Sequence, residues 1–239
     1  MSDLPIKPLR IDAAANYIDA IYRLTEGRDE AATTNALAEE LGITSAGVSI
    51  MIKRLAAQGL VDLTPYEGVK LTAEGLRRAL RIIRRHRILE IFLVNILGFG
   101  WHETHPRARA LERVIDDAFE DRMDEILGHP TRCPHGNPIP TRDGQLLPLT
   151  DVALTSVEPG TSGTISRVTT DDADELKYLS SLGLALDLPV RLVEIAPFDG
   201  PVAADLNGRT VHLGPRLADS IRINVHENAR GAARREAAG

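Results

Sequence analysis

Residues 71–99, LTAEGLRRALRIIRRHRILEIFLVNILGF, constrain the chain more than any other stretch. Thr72 followed by Glu74 and Gly75 is a helix-start signal. Leu76, Leu80, Ile83, Ile88, Ile91, Phe92, Leu93 and Ile96 then recur at helical spacing. The polar side carries Arg77, Arg78, Arg81, Arg84, Arg85 and Arg87, with no acid until Glu90. His86 and Glu90 stand four residues apart and so share one helix face. Imidazole and carboxylate both suit divalent first-row metals, so the pair can reach one ion from a rigid support. It can equally be an ordinary surface pair, and the rest of the chain decides between the two.

Upstream, residues 12–25 place Ala15, Ile18, Ile21, Tyr22 and Leu24 at helical spacing, and Gly27 ends the segment. A second helix, about 33–41, starts at a Thr33/Thr34 cap and stops at Gly42. The third, within TSAGVSIMIKRLAAQGLV, turns Val48, Met51, Ile52 and Leu55 inward and Thr44, Ser45, Ser49, Lys53 and Arg54 outward. Two short alternating strands follow, about 60–63 and 69–72, around a Pro65–Gly68 turn that brings Tyr66 and Lys70 near its tip. Helix, helix–turn–helix, hairpin is the winged helix-turn-helix order. A short helix with hydroxyls at its start enters a major groove, while Lys, Arg and backbone N–H groups hold phosphates. A small helical protein-interaction domain is the competing reading.

Downstream, residues 104–128 set Ala108, Leu111, Ile115, Phe119, Met123 and Leu127 at helical spacing, expected as one helix. Two apolar-faced helices after a winged domain suggest a dimerisation module, whose twofold would present two recognition helices to a palindromic site. HPTRCPHGNPIPTRDG is too rich in Pro and Gly for regular structure. Within it, Cys133 and His135 lie two apart, a spacing at which a loop can present both to one ion. From Leu149 the period shortens. Six candidate strands (VALTSV, GTISRV, PVRLVEIA, PVAADL, RTVHLG, SIRINV) and one short helix in DDADELKYLSSLGL predict a small SH3-like β-barrel.

The expected organisation is multi-domain and mainly α with a β domain. It comprises a winged domain at 1–73, a helical dimerisation and metal-binding domain at 74–147, a barrel at 148–227, and a disordered tail at 228–239. Residues 1–100 hold 13 Lys/Arg against 12 Asp/Glu, and 101–239 hold 15 against 22, so net +1 and −7 make up the overall −6. That asymmetry confines any nucleic-acid contact to the front module. No apolar run reaches the roughly 18–20 residues of a membrane span. MSDLPIKPLR lacks a signal peptide's apolar core, so the expected location is cytoplasmic. One cysteine excludes an intramolecular disulfide framework.

The winged domain, HRILE, the second helical stretch, CPHGNPIP and the terminal barrel, in this order, resemble the metal-dependent repressors of the diphtheria toxin repressor and manganese transport regulator type. The match is to their long three-domain form, with its FeoA-type barrel, over roughly residues 10–226. The resemblance implies a homodimeric DNA-binding regulator of metal homeostasis in which Mn(II) or Fe(II), manganese preferred, fixes the spacing of the DNA-reading domains. Zn(II) is admitted in vitro. It assigns ligands to His86, Glu90, His105, Cys133 and His135, and to Asp172 and Glu175 of the barrel, unless those two acids only cap a helix.

The family's primary, activating site does not carry over. Its positions hold Asn16, Asp19, Arg109, Glu112 and Arg113, and guanidinium ligates no cation. Either metal acts only through the His86/Glu90 cluster, or Arg109 or Arg113 pairs with Asp19 or Glu112 in place of an ion. Ile50 stands where some members carry a base-reading Gln. Two other functions compete: a winged regulator without primary-site metal control, and a zinc metallohydrolase built on His86, Glu90, His105 and His135. The hydrolase lacks a general base beyond its ligands.

Overall fold

The computed structural model describes residues 13–26, 30–64 and 67–226. Tyr66 and the expected tail at 228–239 lie outside them. The described residues form two compact units. One comprises the chain up to Leu89 with Ala108–Thr131 and Ile139–Leu147. The other comprises Glu90–Arg107, Arg132–Pro138 and the chain from Pro148 on. The expected middle domain is therefore shared between them.

In the first unit, α1 (Ala13–Thr25), α2 (Thr34–Leu41) and α3 (Ser45–Ala57) precede strands β1 (Val61–Thr64) and β2 (Gly68–Leu71), then α4 (Ala73–Asn95). The helix starts follow the capping residues. Thr33, Thr44 and Thr72 each accept a backbone N–H three residues on, from Ala36, Gly47 and Gly75. Gly42 ends α2 at φ 64°, the left-handed conformation glycine adopts without penalty. The hairpin pairs Val61 with Leu71 through Thr64 with Gly68, and Ala32 adds a bridge to Val69. Gly75 lets α4 close on the end of α3, since a Cβ there would lie 2.0 Å from the Leu60 carbonyl oxygen. Ile18 and Ile21 of α1, Leu37, Ile52 and Leu55, and Leu80 and Ile83 of α4 share one core. Each such side chain contributes about 1.5–3 kcal/mol by leaving water.

The helix expected over 104–127 is two: α5 (Thr104–Leu111) and α6 (Asp117–Ile126). Asp116 causes the break, because it takes an extended conformation and its carboxylate caps α6 by accepting from Phe119 N at 2.9 Å. The arginines of α4 are largely answered by α6. Arg84 pairs with Glu120 at 3.1 Å and Asp124 at 2.9 Å, Arg85 with Glu120 and Asp117, and Arg81 with Asp117 at 2.9 Å.

The second unit holds β3 (Val152–Ala153), β4 (Ser162–Val168), β5 (Pro189–Ile195), β6 (Val202–Leu206), β7 (Arg209–Leu213) and β8 (Ile221–Val225), in the antiparallel order β3-β8-β4-β5-β6-β7. Register shifts at Ile165/Arg167 and Leu192/Glu194 bend it. The first expected strand is cut to two residues by a 3₁₀ turn at Leu154–Ser156, where the Ser156 hydroxyl donates to the Ala153 carbonyl. α7 (Ala173–Ser181) is the expected short helix, and α8 (Pro215–Asp219), opened by its proline, was not foreseen.

Candidate functional site

Three segments of the second unit meet around Glu90: the end of α4, the 3₁₀ turn Trp101–Glu103 running into α5, and the loop 132–138. Glu90, Cys133 and His135 are each about 3% exposed, and one ligand atom from each lies within 4.8 Å of the others. His135 Nδ1 stands 3.5 Å from Glu90 Oε2 and 3.9 Å from Cys133 Sγ. The other Glu90 oxygen is 3.5 Å from His105 Nδ1, and His105 Nε2 is 3.7 Å from Asp171 Oδ2. His135 Nε2 sits 3.1 Å from the Trp101 carbonyl oxygen, and the indole stacks on the imidazole at 5.6 Å. Donation from Nε2 to that carbonyl orients the ring so that Nδ1 faces the cluster, the usual second-layer support of a metal-binding His. Burial disfavours a charge on His135, but Cys133 and Glu90 outweigh it and push its pKa up to about 11. A divalent ion held there would take the place of the Nδ1 proton.

The loop is shaped by strand β4. Cys133 N donates to the Asn137 carbonyl and Gly136 N to the Cys133 carbonyl, both at 2.9 Å, while Val168 N donates to the His135 carbonyl at 2.8 Å. Gly136 adopts φ 87°, and a Cβ there would lie 2.2 Å from the Ser166 carbonyl oxygen. Arg167 donates to Asn137 Oδ1 at 3.3 Å and clasps Asp151 with Nε at 2.7 Å and Nη2 at 3.0 Å. Carboxylate, imidazole and sulfur held this close, dry and supported from behind fit a divalent first-row metal.

His86 stands one turn before Glu90 on α4, with its Nδ1 2.7 Å from Glu112 Oε2 in the first unit. Asp172 and Glu175, expected as ligands or as a helix cap, make other contacts here. Asp172 caps α7, its Oδ1 accepting from Asp174 N and Glu175 N at 3.0 Å. Glu175 pairs with Arg216 and accepts from the Thr170 hydroxyl at 2.6 Å. The acid that approaches His105 is Asp171, one residue earlier, because Asp172 is turned back onto its own helix. Sequence reasoning also missed Trp101, whose contribution is largely a backbone carbonyl.

In the first unit, Asn16, Asp19, Glu112 and Arg113 line one cavity of about 720 Å³ together with Arg77, Arg78, Arg81, Arg85 and Arg142. Asp19, buried, accepts from Arg23 Nε at 3.0 Å and from Arg109 Nη1 at 3.1 Å. These residues do not fit a divalent cation. Of the four lining carboxylates, Asp19, Glu74 and Glu112 already meet a nitrogen group, Asp143 is the fourth, and the surrounding guanidiniums repel positive charge.

On α3, Val48, Ile52 and Leu55 are buried and Ser45, Ser49, Lys53 and Arg54 are exposed, as expected. The Thr44 hydroxyl caps the helix, Ser45 Oγ donates to Asn35 Oδ1 at 3.1 Å, and Ser49 Oγ donates to the Ser45 carbonyl at 2.9 Å. Ile50 projects outward, 73% exposed. Lys70 lies on β2 of the hairpin and is exposed.

Family models match along the chain in the same order: the iron-dependent repressor N-terminal DNA-binding domain at residues 11–69, the iron-dependent repressor metal-binding and dimerisation domain at 72–141, and a FeoA domain at 152–225. The diphtheria toxin repressor of Corynebacterium diphtheriae is 30% identical over 231 residues, covering 89% of this chain and 97% of that protein. The iron-dependent repressor IdeR of Mycobacterium tuberculosis is 27% identical, again over 89% of this chain and 97% of its own length. A solved manganese-dependent transcriptional repressor in complex with manganese superposes with a TM-score of 0.84 at 38% identity, covering 89% of this chain and all of that one. The chain therefore belongs to the iron-dependent repressor family, the metal-dependent transcriptional repressors of the diphtheria toxin repressor type.

Proposed function

We propose that this protein is a homodimeric DNA-binding regulator of metal homeostasis genes, acting in the cytoplasm and controlled by one divalent ion at Glu90, Cys133 and His135, with His105 beside it. The observation that carries the reading is the buried cluster itself, three donor types on three segments in a chain that also carries a winged helix-turn-helix. α4 places Leu80 and Ile83 in the DNA-reading unit's core and Glu90 in the cluster, so one helix links the two. An ion changes operator occupancy only by binding the DNA-competent arrangement more tightly. The donor set admits Mn(II), Fe(II) and Zn(II), and our reading puts manganese first on the likeness to a manganese-dependent repressor. Burial of all three ligands suits a regulatory ion rather than one facing a substrate. Among the described residues no helix is long and apolar enough to cross a membrane. Leu111, Val114, Phe119 and Ile126, exposed in and around α5 and α6, offer an apolar surface to a second copy.

The test uses duplexes that the protein itself selects from a random pool, and metal-stripped protein titrated with each ion. Affinity rising at least tenfold with Mn(II) supports the reading, and affinity indifferent to every ion contradicts it. Selection also examines the recognition helix. Lys53 and Arg54 suit phosphates, whereas Ile50 offers an apolar contact to a thymine methyl. Ile50→Asn is expected to erase a thymine preference at one position per half-site, worth roughly 1 kcal/mol or more. An unchanged selected sequence would remove Ile50 from base reading.

A further inference from the structure

We propose that the first unit's arginine-lined cavity binds a small polyanion carrying two or more phosphate groups. Arg77, Arg78, Arg81 and Arg85 of α4 line it, with Arg113 and Arg142 from other segments. Residues 77, 81 and 85 stand four apart, so they form one row about 12 Å long down the helix. The negative side of the lining is largely committed. Asp19 already accepts from Arg23 and Arg109, Glu112 meets His86, and Glu74 alone answers both Arg77 and Arg78. Arg113 has no acid partner among the described residues. The side chains of Arg77, Arg81 and Arg142 are 60–61% exposed, and ion pairs that open to water are weak, so these guanidiniums can exchange their acids for a better anion. A guanidinium meets phosphate through two parallel N–H···O bonds, and a chain of phosphates offers such oxygens along the whole row. The cavity, about 720 Å³, has the size of a small-molecule site, and Ala15, Ile18 and Ile82 add apolar lining for an organic body. Arg142 is carried by a tight turn, in which Gly144 N donates to the Thr141 carbonyl at 3.0 Å and Thr141 N to the Gln145 carbonyl at 2.8 Å. A Cβ on Gly144 would lie 3.7 Å from Arg77 Cα, so the turn sits against the start of α4. A ligand there would tie α1, whose Ile18 and Ile21 are core residues, to α4 and to this turn. An effect of that tie on DNA reading rests on the proposed function, while the anion site does not.

The experiment contains no DNA, so its failure and a failure of the DNA-binding reading are told apart. Metal-stripped full-length protein is titrated calorimetrically with inorganic tripolyphosphate, ATP and citrate at one fixed ionic strength. Submillimolar binding of a phosphate probe is expected, with citrate at least about tenfold weaker. Arg77→Ala/Arg81→Ala should weaken phosphate binding at least about tenfold and melt as the wild type does, since both side chains are exposed. Arg142→Ala, on a separate segment, should weaken it too, which keeps the test decisive if the helix variant misfolds. Lys53→Ala/Arg54→Ala, on the recognition helix, should leave it unchanged. Equal affinity for tripolyphosphate and ATP identifies the phosphate chain as the ligand, and tighter ATP binding brings in the apolar lining; both support the site. Failure of either phosphate probe to bind the wild type, citrate bound as tightly, or a loss caused by Lys53→Ala/Arg54→Ala in place of the cavity variants overturns the proposal.

Discussion

Arg167→Met is expected to destabilise the protein by about 3–5 kcal/mol, the usual cost of stripping one partner from a buried ion pair. Arg167 and Asp151 have side chains 12% and 4% exposed, and Arg222, at 4.0 Å, reaches Asp151 only at the limit of an ion pair. In a chain of this size the loss lowers the melting temperature by roughly 6–20 °C. The acid limb tests the cause. Burial alone would raise the Asp151 carboxyl, but Arg167, Ser166 and Arg222 outweigh it and hold the group below its ordinary value. A depressed carboxyl contributes stability that is fully present above the unfolded value of about 4 and is lost as pH falls through the folded one. Arg167→Met should therefore remove this acid-linked loss, so its stability deficit relative to the wild type is widest above about pH 4 and narrows as pH falls. Because Arg167 also holds Asn137, and β4 the backbone of His135, Mn(II) affinity should fall roughly 10–100-fold, as when outer support of a metal site is lost. Wild-type melting and metal affinity would show that the loop needs no clamp.

Glu90→Ala is expected to have the largest effect on metal binding. One of its oxygens stands 3.5 Å from His105 Nδ1 and the other 3.5 Å from His135 Nδ1. Losing it removes a ligand and leaves His135 without its carboxylate, so affinity for Mn(II) should drop by more than the roughly 100-fold that outer-layer changes reach. DNA binding should then cease to respond to Mn(II), while the winged unit, whose core contains no Glu90 atoms, stays folded. Calorimetry and circular dichroism read the two separately. Retained Mn(II) affinity would place the ion elsewhere.

The fold was legible wherever a local rule decides it. Thr33, Thr44 and Thr72 mark helix starts, Gly42 a stop, and alternating apolar residues the strands of the second unit. The helix across 104–127 was misread because its apolar spacing continues through Asp116, and only capping, not periodicity, breaks it. The α4 arginines looked like a basic face. Asp117, Glu120 and Asp124, spaced three and four apart, were the visible sign that another helix would neutralise them. Of the candidate metal cluster, Glu90 beside His86 and Cys133 beside His135 were readable from residue type and spacing, and His105 from the family resemblance. Trp101 and Arg167 were not, since a carbonyl contact and a clamp 30 residues away from Asn137 leave no local pattern. Asp171 and not Asp172 approaches His105, since neighbouring acids are equivalent until one of them caps a helix.

The most direct test of where this regulator keeps its cations is anomalous diffraction at the manganese edge from crystals of the wild type grown with Mn(II). The account predicts a peak between Glu90, Cys133 and His135, and none beside Asp19 and Glu112, where arginines already crowd the lining. A peak in the Asp19 cavity, or none at Glu90, would contradict it.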